Sequence, residues 1–250
     1  MDVKIVVCIK RVPDTGARIR IGPGSDAIDA EGLRYVLNPY DEFALEGALR
    51  AGEAADSGEI VLLTLGDSSA EETLRSGLAM GADRAILLEG ESTWDGLSTA
   101  KRLATAVEEE DPNLVLLGRK AVDDDQEQVG PMVATLLGWS CVSAVSEFEV
   151  ENGHVRCACA VDGGVQRLRV PLPAVLTVTK GAYEPRIASM KGIMAAKRKP
   201  LERLGSDAVP SSVTLRSLDL PPERTAGEVL DGGPDAVPEL ARILRKEGLI

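Results

Sequence analysis

Residues 118–130 read Gly118-Arg119-Lys120-Ala121-Val122-Asp123-Asp124-Asp125-Gln126-Glu127-Gln128-Val129-Gly130. Two cations and three consecutive carboxylates stand where an apolar run, residues 113–117, gives way to a helix-period segment. Three readings fit such a turn: the carboxylates hold a divalent cation, the backbone cradles a phosphate, or the turn is simply solvated. A strand entering a helix at the carboxyl edge of a parallel sheet suits the second, because the first N–H groups of a helix are unsatisfied and carry partial positive charge. Small residues at Gly118 and Ala121 allow close backbone approach. The carboxylates then suit capping of helix N–H groups or holding of ribose hydroxyls. A helix-capping acidic turn without a ligand fits the stretch equally well. A three-Asp magnesium site fits less well, since adjacent side chains on a loop diverge and no second acidic cluster lies nearby at ligand spacing.

Two further strand ends could serve the same crevice. Asn38-Pro39-Tyr40-Asp41 reads as a turn opening a helix, either an ordinary cap or a source of Asn38 and backbone groups for a base or ribose if it faces the Gly118 loop. Lys10-Arg11, after the first apolar run, is a solvated strand end or a phosphate contact. The usual catalytic constellations do not occur: there is no Walker A, no GxSxG elbow and no Cys-His pairing. The single histidine, His154, falls between hairpin strands, which suits a solvent-facing or satisfied side chain better than a general base. A binding or carrier function gains weight.

The four cysteines, Cys8, Cys141, Cys157 and Cys159, form no CxxC pair, so a His/Cys zinc site is excluded. Cys157 and Cys159 share one face of an alternating stretch, too constrained to bond each other easily, and all four are expected as reduced thiols of an intracellular protein. Lys+Arg 28 against Asp+Glu 40 gives 28 − 40 = −12, which opposes non-specific attraction to nucleic acid and anionic lipid. The amino terminus shows no signal-peptide pattern and no apolar run reaches membrane-spanning length, so a soluble, cytoplasmic protein without membrane insertion is expected.

The elements that must position these residues follow from periodicity. Short apolar runs at 3–9, 60–65, 85–88 and 114–117 alternate with helix-period segments at 40–49, 70–80, 97–107 and 129–137, the pattern of a parallel sheet with crossover helices. Residues 18–21, followed by Gly22-Pro23-Gly24, alternate and read as a hairpin arm hung on the domain. After Gly138 the period becomes two: residues 141–150, 155–161 and 165–170 are expected to extend the sheet as antiparallel strands, and 174–178 to return as a core strand. The chain thus divides into an α/β domain at 1–181 and a segment at 182–250. The latter lacks a sustained core pattern, ends in a short helix at about 236–246, and is expected to lie along a partner.

Read together, Cys8-Ile9-Lys10-Arg11-Val12-Pro13-Asp14-Thr15, Asn38-Pro39-Tyr40-Asp41-Glu42, Leu78-Ala79-Met80-Gly81-Ala82-Asp83-Arg84 and the Gly118 loop resemble the β subunit of electron transfer flavoprotein. The resemblance continues through Leu172-Pro173-Ala174-Val175, Glu184-Pro185-Arg186, Ile193-Met194-Ala195-Ala196-Lys197 and Arg224-Thr225-Ala226-Gly227, so it spans essentially the whole chain. It implies a Rossmann-like, adenine nucleotide alpha hydrolase-like fold: a mostly parallel sheet with added antiparallel strands and an extended C-terminal arm. It implies an electron carrier rather than an enzyme: a heterodimer with an α subunit that holds the redox FAD, taking electrons from acyl-CoA or related dehydrogenases, as in fatty acid oxidation, and passing them to a quinone oxidoreductase. The β subunit of this family buries AMP, or a second FAD in electron-bifurcating members. The matching nucleotide-binding positions are Cys8, Asn38, Pro39, Tyr40, Asp41, Leu65, Gly118, Arg119, Lys120, Ala121, Val122, Asp123, Asp124, Asp125, Gln126, Glu127, Gln128 and Val129.

The resemblance also implies a recognition loop over residues 183–194 that docks on dehydrogenases and on the partner, with Tyr183, Glu184, Pro185, Arg186, Met190, Ile193 and Met194 in it. Met190 stands where the family commonly has leucine, an exchange that keeps volume and apolar character. Asp123-Asp124-Asp125 resembles the AMP-binding type. Val129-Gly130-Pro131, Val12-Pro13-Asp14-Thr15 and Asp95-x-Leu97-x-Thr99 look like the FAD-binding type, and Glu127 and Val129 replace the Asn and Thr that AMP-binding members tend to carry. AMP is the expected β ligand and FAD the alternative. A stand-alone nucleotide-binding sensor of the same architecture is the competing class, and a nucleotide-hydrolysing enzyme a third, which would need a metal or base near residues 123–125.

Overall fold

The computed structural model describes residues 2–55, 57–90, 95–181, 183–223 and 227–250. Ala182 and Arg224-Thr225-Ala226, both used in the sequence reading, lie outside the described residues. The apolar runs form the centre of a nine-stranded sheet ordered β11-β5-β4-β1-β6-β10-β7-β8-β9. Its core strands are β1 (Asp2–Cys8), β4 (Ser57–Gly66), β5 (Arg84–Glu89), β6 (Leu114–Gly118) and β10 (Ala174–Val178), all parallel to their neighbours. From β1 the chain first builds outward through β4 and β5, then crosses to β6 on the other side. A crevice therefore opens between the carboxyl ends of β1 and β6, where loops leave in opposite directions.

Both faces of these core strands are covered, which explains runs that are apolar throughout. On one face Ile5 and Val7 of β1 pack with Leu45 and Ala48 of α1 (Pro39–Ala54) and Leu74 and Leu78 of α2 (Ala70–Met80). On the other, Val6 and Cys8 pack with Ala100 and Leu103 of α3 (Gly96–Glu110) and Val133 of α4 (Val129–Leu137). Residues 11–37 make the expected excursion: β2 (Arg11–Pro13) pairs antiparallel with β3 (Tyr35–Leu37), and beyond them an antiparallel bridge joins Ile21 to Ile28.

The added strands follow the sequence reading, and the C-terminal region adds pairings to it. β7 (Ser140–Glu151), β8 (His154–Val161) and β9 (Gly164–Pro171) extend the sheet as the expected antiparallel run, β7 pairing β8 and β8 pairing β9, while the other edge of β7 runs parallel to β10. Alternation reports one covered face and one open face but not strand direction, which here is decided by how β10 returns to the sheet. The region beyond residue 182, read as unable to bury much, supplies α5 (Met190–Ala196) against α2 and β11 (Leu201–Gly205) on the far edge beside β5. Lys199 ties this region down by donating to the carbonyls of Leu78, Gly81 and Ala82 at the end of α2. The terminal helix α6 (Val237–Lys246) lies where expected and buries no residue.

Candidate functional site: a cleft at the carboxyl ends of the central strands

Two side chains at the start of α1 assemble the crevice. Asp41 is buried, and its carboxylate accepts the Lys10 N–H at 2.7 Å and the Gly118 N–H at 2.9 Å, joining the chain just after β1 to the end of β6. Burial pushes this carboxyl up to about 7, against the lowering effect of those donors. Asn38 occupies the N-cap position of α1 but does not cap it. Its amide donates to the Lys120 carbonyl at 2.9 Å and accepts the Val122 N–H at 3.2 Å, so it grips the loop after β6 instead. A cap for its own helix was the alternative reading; the geometry turns Asn38 toward the Gly118 loop. Gly118 is required by this closeness: a Cβ there would lie 2.3 Å from Asp41 Oδ1 and 2.7 Å from Tyr40 Cβ.

The loop's charges are ion-paired, not caps. Lys10 Nζ sits 2.9 Å from Asp123 and 3.0 Å from Asp124, Lys120 pairs with Asp125 at 2.9 Å, and Arg119 pairs with Glu127 at 3.0 Å. The expected capping of α4 by the acidic triplet is not observed, because the triplet ends four residues before Val129, outside the first turn. Asp124 instead closes a turn on the Gln126 N–H at 3.2 Å, and Asp125 and Glu127 both adopt left-handed backbone, φ 52° and 56°. The triplet splays between two lysines, and among the described residues no three His, Cys, Asp or Glu side chains converge as a metal site. No side chain caps α4, and its first two residues, Val129 and Gly130, line the cleft.

The resulting cleft spans about 860 Å³, part of it open solvent. Of the residues expected to bind a nucleotide, Cys8, Asn38, Asp41, Leu65, Gly118, Arg119, Lys120, Ala121, Asp124, Gln126, Glu127, Gln128 and Val129 line it. Pro39, Tyr40, Val122, Asp123 and Asp125 do not: Pro39 begins α1, Tyr40 lies beneath Lys120, and Val122 donates to Asn38, while the two aspartates face lysines. Lys10, one of the two residues read as a strand end or phosphate contact, lines the cleft, and the structure adds Ile9, Leu117, Gly130 and a wall from α3 formed by Gly96, Thr99 and Leu103. In the sequence Thr99 stands out only through the pattern Asp95-x-Leu97-x-Thr99, and Leu103 only through its helical period. Burial raises the Cys8 thiol far above its ordinary range, so it lines the cleft as an inert apolar group.

On the opposite face of α1 lies a second construction. Glu46 is 2% exposed and its carboxylate takes Arg186 Nε at 2.8 Å and Arg50 Nε at 2.8 Å, while Arg186 also reaches Glu53 at 2.6 Å. The Tyr183 hydroxyl both accepts the Phe148 N–H and donates to its carbonyl, each at 2.9 Å. These anchors fix the base of residues 183–194, and Glu184 and Pro185 pass between them. Beyond them Ile187, Met190, Ile193 and Met194 are exposed, an apolar tip on a fastened base.

A family model described as "Electron transfer flavoprotein domain" matches residues 26–209. "Electron transfer flavoprotein subunit beta" of Bradyrhizobium diazoefficiens is 42% identical over 198 residues, 79% of this chain and 80% of the relative. The protein of the same name from Syntrophomonas wolfei is 40% identical over 94% of this chain and 92% of its own, and that of Bos taurus 37% identical over 98% and 99%. The chain belongs to the electron transfer flavoprotein beta-subunit family. The resemblance read from the residues is thereby shown, and with it a part in flavoprotein electron transport. Among the described residues no helix is long and apolar enough to cross a membrane.

Proposed function

We propose that the chain is the β half of a heterodimeric electron transfer flavoprotein, in which an α subunit carries the redox FAD and this subunit buries an adenine nucleotide, AMP, in the cleft between β1 and β6. The observation that carries the reading is the uncapped start of α4 facing a cleft whose loop is pinned by Asn38 and Asp41. A helix start with free N–H groups suits a phosphate, and Gly118, Ala121 and Gly130 keep side-chain bulk away from it. Lys10 and Lys120 offset the loop's acidity beside that seat. Leu65, Leu103 and Leu117 supply apolar wall for a base. The nucleotide, when bound, supplies anchorage and fills the cleft; this chain's residues hold and orient it. No acid, base or nucleophile of this subunit takes part in the electron transfer.

The exposed tip at Met190 docks on dehydrogenases of the acyl-CoA type, and the complex passes the electrons on to a quinone oxidoreductase. FAD in the cleft is the second reading, favoured by the α3 wall, where Gly96 and Thr99 extend the lining beyond what the Gly118 loop alone provides. The test is co-expression with the α partner. A complex that carries flavin and is reduced by an acyl-CoA dehydrogenase supports the carrier reading; a chain that remains alone, with no flavin and no electron acceptance from any dehydrogenase, sinks it in favour of a stand-alone nucleotide sensor.

A further inference from the structure

We propose that Asp95 is a positioning residue through which the C-terminal arm sets the geometry of the cleft, an inference that rests on the nucleotide reading above. Its carboxylate works in two directions. One oxygen, Oδ1, caps α3 by accepting the N–H groups of Leu97 at 2.9 Å and Ser98 at 3.4 Å. The other, Oδ2, accepts the Ser212 N–H at 2.7 Å and the Ser211 hydroxyl at 3.3 Å. A third tie runs from the Ser98 hydroxyl to the Val209 carbonyl at 3.1 Å. Residues more than a hundred positions away in sequence thus hold the first turn of α3, and that turn carries Gly96 and Thr99 into the cleft.

The first turn of α3 has little slack. A Cβ on Gly96 would stand 2.8 Å from the Gln128 amide, immediately before α4, so the starts of α3 and α4 are in direct contact across the cleft. A shift of α3 alters the seat offered by α4. The arm itself can be moved from outside: none of residues 206–220 is buried, and past the clasp it continues over the surface until Leu218 donates to the Ser25 carbonyl at 2.7 Å. A segment with so little burial is ordered by what it touches, and coupling between arm and cleft is reciprocal. Ordering the arm tightens nucleotide binding, and a bound nucleotide tightens the clasp.

The experiment uses the complex with its α partner, stripped of nucleotide and titrated by calorimetry with AMP and then FAD. Ser212→Pro removes the shorter of the two donors to Oδ2 without touching the cleft, and Asp95→Asn keeps a good cap for α3 while losing the charge. Each single variant is expected to bind whichever nucleotide the wild type takes about tenfold more weakly, the order of one charge-assisted hydrogen bond. The double variant is expected to be no weaker than the poorer single, because both changes break one link. Flavin content of α serves as the control for assembly, and amide exchange at Leu97 and Ser98 should slow on nucleotide addition in the wild type but not in Ser212→Pro. Wild-type affinity in both assembled variants would overturn the inference and leave the nucleotide reading standing. A wild-type complex that binds neither nucleotide would overturn both.

Discussion

The Asp41 carboxylate accepts the backbone N–H of Gly118 at 2.9 Å, so a residue of the first helix closes the end of a strand that follows it by seventy-seven positions. With the second bond to the Lys10 N–H, the strand ends flanking the cleft are held by one buried acid. Burial raises this carboxyl from its ordinary value to about 7, so the folded state binds its proton more tightly than the unfolded chain does. Stability from this group is fully present below about pH 4 and is lost as pH rises through about 7. Urea unfolding of Asp41→Asn between pH 4 and 8 should show a less stable protein at acid pH, where an amide N–H₂ meets a backbone donor, but a flatter pH dependence than the wild type. An unchanged slope would remove Asp41 as its source.

Gly118→Ala places a Cβ against Asp41 and the Tyr40 Cβ, with backbone on the third side. The expected cost is about 1–3 kcal/mol in chemical unfolding, as for overpacking elsewhere, with loss of any ligand of the cleft. Full stability would show that the loop can recede.

Removing the carboxylate in Glu46→Ala leaves Arg186 with only Glu53 and takes a buried partner from Arg50. Breaking such a pair costs about 3 kcal/mol when both charges are buried, and less here because Arg186 is partly exposed. Limited proteolysis should become faster within residues 183–194 while the cleft keeps its ligand; cleavage at the wild-type rate would assign the rigidity of that loop to Tyr183 instead.

These anchors also divide what the sequence displays from what it hides. The parallel core and four of its helices could be read because buried strands are apolar throughout and amphipathic helices repeat every three to four residues. The Gly118 loop was legible as a strand-to-helix turn. The work of Asn38, Asp41 and Glu46 was not: each reaches a partner far away in sequence, and no local pattern separates a buried acid at a helix start from a solvated one. β11 escaped for a related reason. In Leu201-Glu202-Arg203-Leu204-Gly205 no residue is buried, and Arg203 pairs with Glu71 and Glu89 at the sheet edge, so the strand carries little apolar signal. The charged triplet suits caps or ribose partners in the sequence, which displays proximity to α4 but not the lysines that pair with the carboxylates.

Met190 is 75% exposed at the first position of α5, beyond a base that Arg186 and Tyr183 fix. Met190→Ala should slow electron acceptance from a dehydrogenase about tenfold, the order of losing one apolar anchor, through the concentration of carrier needed rather than the maximal rate. The nucleotide content of the complex should not change. Normal kinetics would move the docking site away from this tip.

The most direct test of the account is to purify the chain in complex with its α partner, extract the bound nucleotides under denaturing conditions and weigh them by mass spectrometry. One FAD with one AMP per heterodimer is the predicted result, with the AMP lost in Gly118→Ala; two FAD would assign the cleft to a second flavin. A complex holding only a single FAD, and no adenine nucleotide attributable to this subunit, would contradict the claim that the cleft between β1 and β6 is a nucleotide site.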